Sequence, residues 1–173
     1  RDPLWSRGLG DVYKRQVWLV SGENPLQFLR AVSQPMVTAL FTSSSAATLP
    51  LSMQTAQEKL GVDQARSAFV LPLGATANMD GTALFEGIAA VFLAYMSGID
   101  LGTTGVIAIF LVAMLSSVGA PGIPSGSMAG MQMVLLAVGI PLEAIGLLLL
   151  IERTLDTFRN ENNVECDIVG CLV

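Results

Sequence analysis

Residues 116–127 read SSVGAPGIPSGS and interrupt an apolar stretch near its centre, and residues 43–50, SSSAATLP, interrupt an earlier one in the same way. At membrane depth, backbone can leave helical geometry only where protein or a water-filled cavity satisfies its N–H and C=O groups. Such paired breaks are therefore typical of helices that line the binding site of a transporter. A third break, NMDGT at residues 78–82, lies within another long apolar run.

The composition indicates an integral membrane protein. Apolar residues make up 52% of the 173 residues and charged residues only 13%, whereas about a quarter of an ordinary soluble domain is charged. No Lys or Arg occurs between residues 67 and 152. We therefore expect a multi-pass protein of the cell (inner) membrane, with the lipid bilayer as a partner.

Charge and residue usage exclude several classes of function. The net charge of −5 and the absence of a basic patch argue against nucleic acid as a partner. The chain has no His, which excludes Ser-His-Asp catalysis and His metal sites. The two cysteines, Cys166 and Cys171, are expected to be inert thiols rather than a disulfide or a metal site.

The predicted fold class is an all-α membrane protein with two re-entrant helical hairpins and two transmembrane helices, one of them unwound at its centre. Apolar arms of roughly 10 to 14 residues are too short to span a bilayer, which favours re-entrant hairpins. In the first hairpin, we expect a non-helical tip at residues 43–50 and a second arm at residues 51–60. The predicted segments are the first hairpin at 17–60, the unwound helix at 67–97, the second hairpin at 103–138 and the last helix at 142–173.

The first 16 residues, RDPLWSRGLGDVYKRQ, differ in character from the rest of the chain. They lack an initiator Met and an apolar core of signal-peptide type, and they are not continuous with the segment that follows. We expect them to be a non-native, adapter-like segment. The alternative is a short interfacial segment anchored by Trp5 and Arg7.

The last predicted helix carries a stripe of polar side chains. Its five members follow one another at intervals of four, three, four and four residues, which places them within an arc of roughly 80°. Ionisable groups inside a membrane span usually face the bundle interior and mark a substrate or ion pathway. The alternative is an ordinary solvated helix end. The stripe consists of Glu152, Asp156, Arg159, Asn163 and Asp167.

In these motifs the chain resembles a known family, the dicarboxylate/amino acid:cation symporters. The matching motifs occur in family order and cover the chain from about residue 17 to its end: residues 43–50, LPLGATANMDGT at 71–82, the tip at 119–127 and the polar positions of 155–167. The resemblance implies secondary active symport of an acidic amino acid or dicarboxylate, such as aspartate or glutamate, with elevator-type alternating access. Sodium or protons would be the coupling ions, and the resemblance implies no other cofactor.

The resemblance also implies roles for individual residues. The hairpin tips would be gates, with backbone near Ser45 and Ile123 touching substrate. Arg159 would bind the substrate's side-chain carboxylate, and Asp156 would bind its amino group. The implied substrate-binding residues are Ser45, Thr82, Ile123, Asp156, Arg159 and Asn163. The implied sodium ligands are Gly74, Asn78, Asn163 and Asp167 in one site, Thr76, Ser117, Val118 and Ala120 in a second, and Asp80 in a third.

Elementary chemistry agrees with these roles. A planar guanidinium can bind a carboxylate through two parallel hydrogen bonds, which an ammonium or amide cannot reproduce. Sodium prefers oxygen ligands, which carboxylates, amides and unwound backbone supply at broken helices. Arg159 is expected to face four carboxylates, so an anionic substrate should enter the site only together with cations. Those carboxylates are Asp80, Glu152, Asp156 and Asp167.

The chain departs from the family pattern at a few positions. Glu152 stands where Asp is usual, Asn160 replaces a common Thr, and Cys166 replaces a Gly. Family members carry further N-terminal helices that form a trimerisation scaffold. Residues 17–173 are therefore expected to be the C-terminal part of a transport domain, from a protein that is a homotrimer at full length.

Two other hypotheses remain open on sequence alone. One is a membrane-embedded enzyme that uses Ser125 in the segment GIPSGS, although the strand-to-helix context and His base of a nucleophile elbow are missing. The other is a nonfunctional truncated fragment. The symporter interpretation predicts that the chain is not an enzyme, and that this fragment does not catalyse uptake by itself.

Overall fold

The computed structural model describes Trp18 and residues 24–172, so the predicted adapter-like segment and most of residues 17–23 lie outside the described residues. The described part is helical and contains no strand. Its helices are α1 (Pro25–Thr42), α2 (Ser45–Glu58), α3 (Gln64–Ala77), α4 (Asp80–Met96), α5 (Gly102–Ser117), α6 (Ser127–Ala137), a short 3₁₀ helix (Leu142–Ala144) and α7 (Ile145–Leu172).

A two-residue turn joins α1 to α2. Ser43 has a left-handed backbone (φ 50°), and its N–H donates to the carbonyl of Ala39. The Ser44 hydroxyl then caps α2 by accepting a hydrogen bond from the N–H of Ala47 at 3.1 Å, as N-cap serines commonly do. The prediction of a non-helical tip across residues 43–50 is therefore wrong beyond Ser44, because this cap starts the second arm at Ser45 instead of residue 51.

The break between α3 and α4 is also short. Only Asn78 and Met79 lie between the end of α3 and the start of α4, at the beginning of the predicted break at residues 78–82. Asn78 has φ −108° and ψ 74°, and its N–H still donates to the carbonyl of Gly74. The chain thus leaves helical geometry for two residues and resumes a helix at Asp80.

The connection between α5 and α6 is the longest of the three breaks. Residues 118–126 lie outside both helices, and two of them, Gly119 (φ 88°) and Ser125 (φ 60°), have positive φ. Glycine adopts such a backbone easily, whereas serine does so uncommonly. The helical arms reach Ser117 and Ser127, slightly further into the break than the sequence pattern predicts.

Helix α7 packs against both halves of the structure. It contacts α1, α2 and α3, which precede the α3–α4 break in sequence, and α4, which follows that break. One apolar core, which includes Val32, Leu71 and Ile168, forms among α1, α2, α3 and α7. A second core, which includes Leu93, Ile109 and Met131, forms among α4, α5 and α6, and Leu148 of α7 joins it. Both apolar cores therefore flank the helix that carries the polar stripe.

Large apolar side chains also cover the outside of the bundle. Phe41, Tyr95 and Leu150 are each at least 80% exposed, which in a soluble protein would create large apolar patches. Within the described residues, one helical stretch, Gln64–Met96, is long and apolar enough to cross a membrane. Helix α7 has sufficient length, 28 residues, but its charged side chains make it less apolar.

Candidate substrate and cation site

The α1–α2 turn and the α5–α6 connection meet beside the end of α3. The Ser44 hydroxyl and the Ala46 N–H both donate to the carbonyl of Gly122, at 2.7 and 3.1 Å. A Cβ at Gly122 would lie 3.0 Å from the carbonyl oxygen of Ala75, so the absence of a side chain permits this close approach. The two predicted hairpin tips are therefore in direct contact.

The polar stripe of α7 points into the protein. The exposed fractions are 4% for Glu152, 0% for Asp156, 6% for Arg159, 1% for Asn163 and 5% for Asp167. The alternative of a solvated helix end is therefore wrong for these five residues. Buried charges of this kind persist when they are paired or when they serve a ligand.

Arg159 forms a compact ionic cluster with two acids of its own helix. Its Nη2 atom contacts Asp156 Oδ1 and lies 3.5 Å from Glu152 Oε1. The guanidinium carbon lies 4.7 Å from the centre of the Phe85 ring, a cation–π distance. The other terminal nitrogen, Nη1, is buried and has no hydrogen-bond partner in the described part of the chain. Arg159 thus presents an unused buried donor, which is costly unless a ligand accepts from it.

Ser125 connects the α5–α6 connection to this ionic cluster. Its N–H donates to Asp156 Oδ2 and its hydroxyl donates to Glu152 Oε2, both at 2.9 Å. The positive φ at Ser125 turns the two donors toward α7. Ile123, near which the backbone was predicted to touch substrate, is 54% exposed, and its N–H donates to the carbonyl of Pro121. The structure therefore brings Ser125 to the stripe and leaves the Ile123 side chain outside it.

The α3–α4 break is bound to the middle of the stripe. Asn163 Nδ2 donates to the Thr82 hydroxyl at 3.2 Å, and Asn163 Oδ1 accepts from the Gly81 N–H at 2.9 Å. A Cβ at Gly81 would lie 2.9 Å from the carbonyl oxygen of Arg159. Glycine therefore lets the start of α4 approach α7 closely. Thr82 and Asn163, two predicted substrate-binding residues, are in contact.

Three residues predicted to share a sodium site lie together. Asn78 Nδ2 donates to Asp167 Oδ1 at 3.0 Å, and a Cβ at Gly74 would lie only 2.6 Å from the same oxygen. The fourth residue, Asn163, is bonded to the N–H of Gly81 just after the break. The described residues contain no group of three acidic or cysteine side chains that could hold a metal ion, so a cation here would depend on amide and backbone oxygens beside the single Asp167 carboxylate.

The residues predicted for the other two cation sites lie near the α5–α6 connection. The Thr76 carbonyl accepts from the Gly119 N–H at 2.9 Å, and the Ser117 carbonyl accepts from the Ala120 N–H at 3.1 Å. A groove of about 640 Å³ between α4 and α5 opens beside them. The polar residues that line it are Asn78, Asp80, Ser117 and Asn162, and Val118 lines it too.

A comparison with known families settles the class of protein. The sequence profile of the sodium:dicarboxylate symporter family matches residues 11–173. The chain belongs to the sodium:dicarboxylate symporter family. This is a family of membrane transporters, so the hypothesis of a serine enzyme built on Ser125 is wrong.

Individual relatives of this chain agree with the family assignment. The chain is 44% identical over 153 residues to excitatory amino acid transporter 2 of Homo sapiens, 42% identical over 153 residues to an excitatory amino acid transporter of Caenorhabditis elegans, and 42% identical over 164 residues to excitatory amino acid transporter 4 of Rattus norvegicus. These alignments cover 88%, 88% and 95% of this chain. They cover only 27%, 30% and 29% of the relatives, so the chain spans less than a third of their length.

Glu86 is a buried acid that the sequence pattern did not assign to the site. This residue of α4 is fully buried, and its Oε2 atom accepts a hydrogen bond from the Ser116 hydroxyl of α5. Its Oε1 atom has no partner among the described residues, and a Cβ at Gly130 would lie 2.2 Å from it. A single carboxylate within an apolar run was a signal in itself, since acids at membrane depth are usually functional.

Of the four carboxylates predicted to face Arg159, two lie at its guanidinium in the structure. Arg159 contacts Asp156 and Glu152. Asp167 instead accepts from Asn78, and Asp80 accepts from the N–H of Gly81. The four acids form two groups because Asp80 follows the α3–α4 break and Asp167 lies two helical turns beyond Arg159 on α7. The site therefore has one acidic cluster at the guanidinium and another at the break.

Proposed function

We propose that the transporter containing this chain carries an acidic amino acid, aspartate or glutamate, or a related dicarboxylate, together with sodium. The observation that carries the proposal is the buried Arg159 guanidinium, whose Nη1 atom has no hydrogen-bond partner in the region described. A carboxylate is the group whose geometry and charge fit a guanidinium fork. A neutral substrate would leave this buried charge without an added counter-charge.

The surrounding residues suit the other groups of an amino acid. Asp156, in contact with Arg159 and with the N–H of Ser125, is the acceptor that we assign to the substrate's ammonium group. Asn163 and Thr82, bonded to each other at 3.2 Å, are the polar groups that we assign to its second carboxylate. Ser45 and Ile123 belong to the hairpin tips that we propose as gates.

The charge of the site supports coupling to cations. The stripe holds three carboxylates, Glu152, Asp156 and Asp167, against one guanidinium, and an anionic substrate would add to this negative charge. We assign sodium to the break, where Gly74, Asn78 and Asp167 meet, with Asn163 close by. A second ion would use Thr76, Ser117, Val118 and Ala120. A third ion would use Asp80. If a proton is also carried, the buried Glu86 is the group that we assign to it.

The membrane arrangement follows as part of the same proposal. The pairs α1–α2 and α5–α6 would be re-entrant hairpins, and α3–α4 and α7 would span the bilayer of the cell (inner) membrane. The bundle of residues 17–173 would move as the C-terminal part of the transport domain in an elevator-type cycle. A homotrimer of the full-length protein would supply the scaffold against which it moves.

Uptake by liposomes tests the proposed coupling. The full-length protein that contains this chain is reconstituted, and labelled aspartate is followed with an inward sodium gradient, with an inward proton gradient and with neither. We expect accumulation against the aspartate gradient only when a cation gradient is present, because the acidic site admits the anion with its counter-ions. Equal accumulation without either gradient would refute the coupling.

A further inference from the structure

Asn160 of α7 joins the ionic cluster to the first hairpin. The residue is 4% exposed, and its Nδ2 atom donates to Asp156 Oδ1 at 2.9 Å and to the Asp156 carbonyl at 3.0 Å. Its Oδ1 atom accepts from the Ser45 hydroxyl at 3.3 Å. Both hydrogens of this amide therefore bond to Asp156, and its oxygen accepts from Ser45, the first residue of α2.

These bonds restrain the Asp156 carboxylate. Its Oδ1 atom is shared by Arg159 and Asn160, while its Oδ2 atom accepts from the N–H of Ser125. Without the amide, the carboxylate could rotate toward Arg159 and pair with the guanidinium through both oxygens. It would then offer less of its charge to any other cation. The Asn160 amide thus opposes the closure of Asp156 onto Arg159.

A threonine could not replace this contact. A Thr hydroxyl in a helix has one hydrogen, which commonly bonds the carbonyl four residues earlier. At position 160 that acceptor is the carbonyl of Asp156, already bonded at 3.0 Å by the Asn amide. The carboxylate contact at 2.9 Å needs the second hydrogen of the amide. Asn160 therefore supplies a donor aimed at the Asp156 carboxylate that a Thr at this position would lack.

We infer that Asn160 is a positioning residue that makes this transporter favour amino acids over dicarboxylates without an amino group. The inference rests on the proposed function, in which Asp156 binds the substrate's ammonium group. By holding Asp156 away from a closed pair with Arg159, Asn160 keeps an acceptor available for that ammonium. Succinate has both carboxylates of aspartate and no ammonium, so it gains nothing from the restraint.

The test compares aspartate and succinate binding to the full-length protein in sodium. Aspartate affinity is measured directly with labelled ligand, and succinate affinity by displacement of that ligand. In Asn160→Ala, we expect aspartate to bind roughly 10- to 100-fold more weakly, the range for losing a hydrogen bond to a charged group. Succinate affinity should change by less than about threefold, which is within the usual variation in the energy of a hydrogen bond between neutral groups.

Two further variants make the comparison decisive. Asn160→Thr retains a donor for the Asp156 carbonyl and should show the same selective loss of aspartate affinity. Thr157→Ala removes a hydroxyl whose hydrogen bond, within the part of the chain that the structure describes, goes to the Thr154 carbonyl of the same helix, and both affinities should stay unchanged. Thermal unfolding of each variant in sodium checks that the variant is folded. If Asn160→Ala does not fold, the aspartate and succinate affinities of Asn160→Thr provide the test.

The outcomes separate the inference from the proposed function. Equal weakening of aspartate and succinate in folded variants would mean a structural role for Asn160 and would overturn the inference, as would unchanged affinity for both ligands. A wild-type protein that binds neither ligand would instead refute the proposed function. Selective loss of aspartate binding supports both.

Discussion

Arg159→Cys is expected to abolish the uptake of acidic substrates. Arg159 is 6% exposed, and its guanidinium contacts Asp156 and lies 3.5 Å from Glu152. Its Nη1 atom is the donor assigned to the substrate's side-chain carboxylate. Removing one partner of a buried charge pair is strongly unfavourable because it leaves charges uncompensated. We expect aspartate affinity in sodium to fall by roughly a hundredfold or more, measured by binding of labelled aspartate.

Arg153→Cys is the matched control for this variant. Arg153 lies on the same helix, six positions earlier, and is exposed, so its replacement should leave aspartate affinity within about twofold. A neutral amino acid of similar size serves as a second ligand. If the Arg159→Cys variant kept an unchanged preference for aspartate over that neutral amino acid, Arg159 would lose its assigned role.

Asp167→Asn is expected to weaken sodium binding. Asp167 is 5% exposed, accepts from Asn78 Nδ2 at 3.0 Å and approaches Gly74 too closely to admit a Cβ. The substitution keeps the shape and an oxygen for Asn78 but removes the negative charge, and cation affinity follows the charge of the ligand set. The sodium concentration for half-maximal aspartate uptake should rise by roughly tenfold or more.

The control for Asp167→Asn is Glu143→Gln, which removes an exposed carboxylate from the 3₁₀ helix before α7. Its sodium dependence should match that of the wild type. A half-maximal sodium concentration that is the same in Asp167→Asn and in Glu143→Gln would remove Asp167 from the proposed cation site, whatever the aspartate affinity of the two variants.

Much of the helical layout could be predicted from the sequence because its signals are local. Ser, Gly and Pro residues break apolar runs, and the break between α5 and α6 lies where they cluster. The four-three-four-four spacing on α7 likewise depends only on helical geometry, and all five stripe residues are buried. The extent of the first tip could not be predicted in this way, since whether Ser44 caps a helix is decided by its backbone angles.

The contacts of the site could not be predicted in the same way because they depend on tertiary packing. In the α5–α6 connection Ser125 has φ 60°, whereas the neighbouring Gly126 has φ −59°. Serine adopts such a backbone uncommonly, and here its N–H donates to Asp156. The Glu86–Ser116 and Asn160–Ser45 contacts join residues 30 and 115 positions apart. No local pattern encodes such pairs.

Calorimetric titration of the full-length protein with aspartate, with and without sodium, tests most directly the claim that the α7 stripe and the two hairpin tips enclose an acidic substrate together with its cations. We expect aspartate to bind in sodium, with an affinity that falls by roughly tenfold or more when an inert cation such as choline replaces sodium. Without sodium, the anionic substrate must enter a site with excess carboxylates. Aspartate affinity that is the same in sodium and in choline would contradict it.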